Sequence, residues 1–238
     1  MSTGAAIDRD DAPSTPGSAA AAAVAAGPMA AAAAAQAARG ATPAVAPDTL
    51  RPLVYAEQVR TAYGAKPALL PSTVIPNLAV ALFLVAVMWG KVETSTLISW
   101  FGAQLAYQVV RVWINLRYWR ANPPLHEAWR WARLYVWQTT TNGCLWGIAG
   151  LVMFVSDSIT YQAVLFATLC GFAAASVTIT AMLLPAFLGS VLPVMIIITA
   201  RTVAEGNATH YALAGMLAVF GIYIVSRGVN MHLSLIHI

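Results

Sequence analysis

The chain has 238 residues, of which 59% are hydrophobic and only 9% are charged. Soluble globular domains carry about 25% charged residues, so this composition excludes an ordinary water-soluble fold and indicates a protein of the lipid bilayer. The net charge of +4 does not indicate nucleic-acid binding. The arginines stand mainly at the ends of apolar runs, where the positive-inside rule of membrane proteins puts basic residues.

The first quarter of the chain carries no apolar run that we expect to cross a membrane. Residues 1–47 are rich in alanine, proline and glycine and are predicted to form a disordered tail. The alanine run from Ala19 to Ala38 is interrupted by a Gly-Pro pair, and alanine contributes little transfer free energy. Residues 48–66 combine a capping Asp48 with a partly apolar face, which predicts a short amphipathic helix at the membrane surface.

Six apolar runs follow within residues 67–228, and each approaches the ~20 residues needed to cross the hydrocarbon core. We expect an all-α bundle of six transmembrane helices, with spans at about 73–89, 96–115, 131–155, 161–180, 186–200 and 211–225. The tract 161–200 admits two interpretations. It fits two spans joined by a hairpin at Met182–Pro185, or one span and a re-entrant segment.

The only dense island of charge runs from Arg111 to Trp137, between the second and third spans. Its arginines alternate with tryptophans and are predicted to anchor the helices to anionic lipid headgroups; they are Arg111, Arg117, Arg120, Arg130 and Arg133. Near the span ends, nine basic residues fall on this side and two, Lys91 and Arg201, on the other. We therefore expect both termini to lie in the cytoplasm.

Amide and hydroxyl side chains cluster in the second and third spans. Amides in hydrocarbon need hydrogen-bond partners, so we expect these residues to face the bundle interior: Gln104, Gln108, Gln138, Thr141 and Asn142. They are interpreted either as interhelical hydrogen bonds that hold the bundle or as a polar site for a small signal molecule or proton. The spans offer no Asp, Glu or Lys at their middle, which favours the first interpretation and counts against a transporter.

No catalytic motif is recognisable in the sequence, so we expect no enzyme activity, cofactor or metal site in this chain. Cys144 and Cys170 lie in apolar runs without metal-ligand spacing and are interpreted as small buried residues. His126 and His210 are predicted on opposite faces of the membrane and are interpreted as interfacial. Small residues recur at Gly143 and Gly147 and along 163–175, a spacing that is typical of closely packed membrane helices.

The last six residues, from Leu233 to Ile238, resemble the in-frame translation of a transposon end that is used as a sequencing-library adapter. We therefore expect residues 229–238 to be a truncated tail, with 233–238 not native, and the natural chain to continue beyond about His232. The alternative is a natural short tail. On the first interpretation, His232 and His237 say nothing about metal binding.

Several stretches, in order, resemble a known family: AEQVRTAY before the first span, the basic loop, GCLWGIAGLVMF at 143–154, and LPAFLGSVLPVMIII at 184–198. They are similar to the six-span N-terminal sensory regions of bacterial sensor histidine kinases, including hybrid kinases, and of GGDEF/EAL signalling proteins. The resemblance covers about residues 50–231. It implies no ligand and no catalytic residue in this chain.

This resemblance implies a signal-sensing input module in the bacterial inner membrane, with a cytoplasmic output domain after the sixth helix. A histidine kinase is the first expectation for that output, and a diguanylate cyclase the next. It also implies a homodimer, with the lipid bilayer and an unknown small molecule or membrane cue as partners. The alternatives are a small transporter or permease, which predicts inverted repeats and broken helices, or a structural membrane protein.

Overall fold

The computed structural model describes residues 47–64 and 73–236, and every regular element within these two ranges is helical. Seven α-helices lie in the described ranges: α1 Pro47–Ala62, α2 Val74–Met88, α3 Thr94–Ala121, α4 Ala128–Val152, α5 Ile159–Thr180, α6 Leu184–Val203 and α7 Ala208–Ile236. A 3-10 turn, Leu125–Glu127, leads into α4. The predicted all-α class is confirmed for these residues. Two predicted segments lie outside the described ranges: the tail as far as residue 46, and the end of the surface helix at residues 65–66.

Three of the described helices are long and apolar enough to cross a membrane: Ile159–Thr180, Leu184–Val203 and the stretch Ala208–Ser234 of α7. The α2 helix is apolar but has 15 residues. The α3 and α4 helices are longer, at 28 and 25 residues, but their amides and arginines lower the mean hydropathy. These helices indicate a membrane protein, and the tract 161–200 forms two separate helices, each of spanning length.

The breaks between helices fall where the sequence weakens helical geometry. Asn122 ends α3 in the left-handed region, at φ 40°, and two prolines follow it. The α5 and α6 helices are separated by residues 181–183, and Pro185 occupies the first turn of α6, where its missing N–H costs no hydrogen bond. Pro193 lies inside α6 and leaves the Gly189 carbonyl without its intrahelical donor.

The α6 helix lies at the centre of the bundle, against α4, α5 and α7. It crosses α4 at a position where neither backbone carries a bulky side chain. A Cβ atom on Gly143 would lie 2.7 Å from the Gly189 carbonyl oxygen and 2.8 Å from the Ser190 Cα atom. One turn further on, a Cβ atom on Gly147 would lie 3.1 Å from the Pro193 carbonyl oxygen. The predicted close packing at the two α4 glycines is confirmed, and α6 is the partner.

The small residues of α5 behave differently. A Cβ atom on Gly171 would meet no heavy atom within 4 Å, and Ala167 and Ala175 line a cavity. The sequence spacing predicted a close helix contact along this face, and the structure leaves an open space there. This open space forms part of the candidate functional site.

The α1 helix is held against the basic end of the bundle, which we define as the end formed by the C-terminus of α3 and the N-terminus of α4. Val59 and Tyr63 are buried there. The Tyr63 ring stacks on Tyr118, with ring centroids 4.1 Å apart, and its hydroxyl donates to the Trp131 carbonyl at 3.0 Å. Burial, reinforced by neighbouring tyrosines, raises the pKa of Tyr63, so the hydroxyl remains a neutral donor.

Candidate functional site

Four amide side chains from three helices meet inside the bundle; we call Asn77, Gln104, Gln108 and Asn142 the amide cluster. The Asn77 Oδ1 atom accepts hydrogen bonds from Gln104 Nε2 at 2.7 Å and from Gln108 Nε2 at 2.8 Å. Gln104 Nε2 also lies 3.4 Å from Asn142 Oδ1. The cluster therefore links α2, α3 and α4 by side-chain hydrogen bonds in a region that is otherwise apolar.

The predicted polar residues are only partly brought together. Gln104, Gln108 and Asn142 belong to the amide cluster. Gln138 is buried, and its backbone carbonyl accepts from the Tyr107 hydroxyl at 2.9 Å. Thr141 is exposed and donates to the Trp137 carbonyl of its own helix at 2.8 Å, so the expectation that it faces the bundle interior is wrong.

The shared acceptor, Asn77, was missed by the reasoning from the sequence. It is the only amide in the apolar helix α2, VIPNLAVALFLVAVM, and it directly follows Pro76. A single amide in such a segment is costly unless it is hydrogen-bonded, and that cost is the signal that could have identified it.

Several polar atoms of this region have no hydrogen-bond partner among the described residues. They are buried side-chain atoms: Gln104 Oε1, Gln108 Oε1, Asn115 Oδ1, Gln138 Nε2 and Trp146 Nε1. A buried amide that uses only half of its hydrogen-bonding capacity is destabilising. The amide cluster is therefore only partly satisfied by the protein itself.

A cavity of about 680 Å³ lies beside the amide cluster, between α2, α3, α4 and α5; we call it the side cavity. Its wall is mostly apolar, and the polar side chains on it include Asn77, Arg111 and Asn142. Val80 and Phe83 line the cavity and are themselves 41% and 56% exposed. The cavity is therefore open at the side of the bundle.

Arg111 stands at one end of the side cavity. It is half-buried, and its Nη2 atom donates to the Thr73 hydroxyl at 2.7 Å. Within the described parts of the chain, the one ion pair joins Arg201 to Glu205, so no described carboxylate neutralises Arg111. This residue was predicted to be one of five membrane anchors, and it is the one of the five that lines the side cavity.

The other four predicted anchors lie outside the side cavity. The Arg117 and Arg133 guanidinium groups lie over the rings of Trp113 and Trp129, at 5.4 Å and 4.2 Å from the ring centroids. Such contacts keep a cation beside an aromatic face. The remaining two, Arg120 and Arg130, are exposed.

A second polar group lies at the opposite end of the bundle, around His210. The imidazole is 94% buried, as only 6% of the residue is exposed. Its Nε2 atom lies 3.0 Å from Gln162 Oε1, and its Nδ1 atom lies 2.7 Å from Asn207 Oδ1. His210 stands two residues after the start of α7, near a helix end as expected, and its side chain is buried among neighbouring helices. Two residues in the sequence could have indicated this polar group: Asn207, three residues before the histidine, and Gln162, early in α5.

The turn next to His210 holds the Arg201–Glu205 ion pair. The Ser156 hydroxyl also donates to Glu205 at 2.7 Å. The hydrogen bonds from Ser156 and Arg201 lower the pKa of the Glu205 carboxyl. These contacts join the turn after α4 to the end of α6.

The cysteines and histidines do not assemble a metal site in the described residues, where no group of three or more His, Cys, Asp or Glu side chains could hold a metal ion. The expectation that both cysteines are buried is wrong for Cys144, which is exposed, and Cys170 is half-buried. Cys144 follows Gly143 directly. Successive residues of a helix point about 100° apart, so Cys144 turns away from the face that packs on α6.

Comparison with models of known protein families gives no match, and neither curated proteins nor solved structures match the chain.

Proposed function

We propose that this chain is the membrane-embedded input module of a bacterial signalling protein, which detects a cue in the bilayer and passes a helix movement to a cytoplasmic output domain. The observation that carries the proposal is the side cavity. A preformed, mostly apolar space with a few convergent polar groups is the usual place for a ligand in a protein. The parent protein is proposed to be a sensor histidine kinase or, as the next choice, a diguanylate cyclase.

In the proposed topology, six spans cross the bacterial inner membrane and both termini lie in the cytoplasm. The helices α2, α3 and α4 support it, because they also expose large apolar side chains, such as Ile75 at 63% and Val109 at 64%. The basic end gathers most of the described arginines, while Lys91 and Arg201 lie near the opposite end. Reporter fusions test this topology. Alkaline phosphatase is expected to be active after Ser156 and inactive after Asn122, and the reverse pattern refutes it.

The α7 helix supports a role in transmission. From Ala208 to His232 it measures roughly 37 Å at 1.5 Å per residue, which exceeds the ~30 Å of the hydrocarbon core. It packs directly on α6, where the Phe187 ring fills the space above Gly228. A helix that extends beyond the bilayer can carry a displacement of the bundle to a domain attached to it. A homodimer is proposed from the resemblance to sensor kinases.

A small transporter is the alternative. Transporter sites commonly use helices that are broken at mid-membrane. Pro193 does not break α6, which is continuous from Leu184 to Val203. This continuity favours the sensory proposal.

The most direct test of the proposal is the gene itself. Long-read sequencing of the genomic locus, without transposon-based library preparation, is expected to show an in-frame kinase dimerisation helix or GGDEF segment after the codon for His232. A stop codon at that point, or an unrelated domain, overturns the assignment.

A second test separates sensing from a purely structural role of the amide cluster. Asn77→Leu removes the acceptor of two buried donors and is expected to destabilise the fold. Replacing Asn77, Gln104 and Gln108 together by leucine removes both sides of these bonds and is expected to recover stability. In the full-length parent, the triple variant is expected to change basal output activity several-fold. Thr141→Val is the control, and normal output from the stable triple variant refutes a sensing role.

A further inference from the structure

We propose that the side cavity binds an amphiphile with one apolar chain and one anionic headgroup, of the fatty-acid class, with the headgroup held by Arg111. This assignment names the ligand class of the site and rests on the proposed function for its biological meaning. The binding itself is a separate property of the chain, and it can be measured without any output domain.

The headgroup position follows from the surroundings of Arg111. A guanidinium group carries five N–H donors in a planar fork, and the Thr73 hydroxyl is the one described hydrogen-bond acceptor of this group. A half-buried cation without a described carboxylate partner is a costly arrangement, and a carboxylate accepts from a guanidinium in a two-pronged geometry. An anionic headgroup therefore fits the end of the cavity at which Arg111 lies.

The chain position follows from the shape and lining of the cavity. Along α2 it extends from Thr73 to Phe83, roughly 15 Å at 1.5 Å per residue, and along α5 from Val164 to Thr180, roughly 24 Å. The far part is lined by aromatic and aliphatic side chains, including Trp146 and Phe172. A long space with one basic end and apolar walls fits a single extended hydrocarbon chain better than a compact polar solute.

The small residues of α5 create the room for this chain. Gly171 faces open space, and Ala167 and Ala175 line the same wall. The volume of about 680 Å³ lies within the roughly 300–1,000 Å³ of typical ligand pockets. One chain enters such a volume from the open side that Val80 and Phe83 flank, whereas a phospholipid would leave its second chain and glycerol outside. We therefore commit to a single-chain ligand.

The test measures binding of radiolabelled palmitate to the full chain in nanodiscs of phosphatidylcholine, together with photo-crosslinking by a diazirine analogue and mapping of the labelled peptide. Saturable binding and labelling on α2 or α5 are expected. Arg111→Gln is expected to weaken binding at least tenfold. Arg117→Gln removes an arginine at the same end that does not line the cavity, and it is expected to leave binding unchanged.

A second pair of variants tests the chain-binding part of the cavity. Gly171→Leu places a side chain in the open space and is expected to abolish saturable binding. Gly215→Leu is the matched control, because a Cβ atom there also meets nothing within 4 Å and the residue lies on α7, away from the cavity. If Gly171→Leu does not give a folded, monodisperse protein, Ala175→Leu fills the same wall.

The outcomes separate the possibilities. Palmitate binding that responds equally to Arg111→Gln and Arg117→Gln, or that survives filling of the cavity, overturns the proposal. The proposal is also overturned if phosphatidylglycerol in the nanodisc occupies the site and palmitate does not displace it, because the ligand is then a bilayer phospholipid. Failure of palmitate to bind, with an output domain present in the gene, refutes the ligand class but leaves the sensory function standing. Specific binding with a stop codon in the gene refutes the sensory function alone.

Discussion

Replacing Gly143 with alanine tests the tightest helix crossing of the described bundle. The added Cβ atom would lie 2.7 Å from the Gly189 carbonyl oxygen and 2.8 Å from the Ser190 Cα atom, whereas ordinary contacts lie at 3.4–4 Å. Both neighbours are backbone atoms and cannot rotate away. The Ser190 carbonyl oxygen lies closer still, so the α4 and α6 helices must separate by at least roughly 0.7 Å at this point, the shortfall between those distances.

The expected magnitude comes from comparison with a second glycine. Overpacking in a well-packed interior costs about 1–3 kcal/mol, while alanine gains about 0.5–1 kcal/mol over glycine in a helix interior. Gly102 on α3 meets nothing within 4 Å, so Gly102→Ala has the helical gain without the overpacking. The difference in unfolding free energy between the two variants isolates the overpacking cost, and we expect it to be about 2 kcal/mol.

The assay is equilibrium unfolding in mixed detergent micelles, with the mole fraction of dodecyl sulfate as the denaturing variable and far-ultraviolet circular dichroism as the signal. Gly143→Ala is expected to lower the unfolding midpoint and Gly102→Ala to leave it unchanged or raise it. If the two variants agree within about 0.5 kcal/mol, the variation expected for unremarkable surface substitutions, the α4–α6 crossing is looser than the structure shows and the reasoning fails.

Three further predictions concern the other polar contacts. Because the folded-state pKa of Glu205 is lowered, its stabilising contribution is present above its ordinary pKa of 4.5 and is lost as the pH falls through the lowered value. Unfolding midpoints measured from pH 7 to 3 should therefore fall with pH in the unaltered chain, and the part of this fall that Glu205 causes is expected to be absent in Glu205→Gln. Trp100→Phe removes the indole hydrogen bond to the Leu145 carbonyl at 2.7 Å, and it is expected to cost about 1 kcal/mol in the same unfolding assay. Gln162→Leu leaves His210 without its partner at Nε2 and also removes the hydrogen bonds from Gln162 Nε2 to the Val155 and Ser156 carbonyls. It is expected to cost about 1–3 kcal/mol, so a loss smaller than that of Trp100→Phe contradicts the described network.

The positions of the helices could be predicted from the sequence because polar turns and proline or glycine residues separate the apolar runs. Pro123 and Pro124 follow α3, and the predicted spans from 161 and 186 correspond to α5, Ile159–Thr180, and α6, Leu184–Val203. The predicted starts differ by only two residues because an apolar run and its breaking residues are local features. Local features are what a sequence read without homologues can supply.

The faces of the helices were harder to predict. Thr141 and Asn142 are adjacent, and adjacent helical residues point about 100° apart, so a cluster of consecutive polar residues cannot all face one partner. Asn142 points into the bundle and Thr141 does not. The spacing of small residues along α5 likewise indicated a face without bulky side chains. Whether another helix packs on Gly171 or an open space lies beside it depends on contacts between distant parts of the chain.

The amide cluster and the α4–α6 crossing differ in how readily they can change, and this contrast bears on the proposed signalling. At the crossing, backbone atoms fill the space, so α4 and α6 can move only together. At the cluster, Asn77 links α2 to α3 through side chains whose remaining polar atoms are partly unsatisfied, so a rearrangement there can form new hydrogen bonds as it breaks old ones. A ligand in the side cavity would therefore displace α2 more easily than α4. The movement can reach α7 through α5, which contacts both α2 and α7, and also through α6, because the Phe187 ring is held over Gly228 of α7.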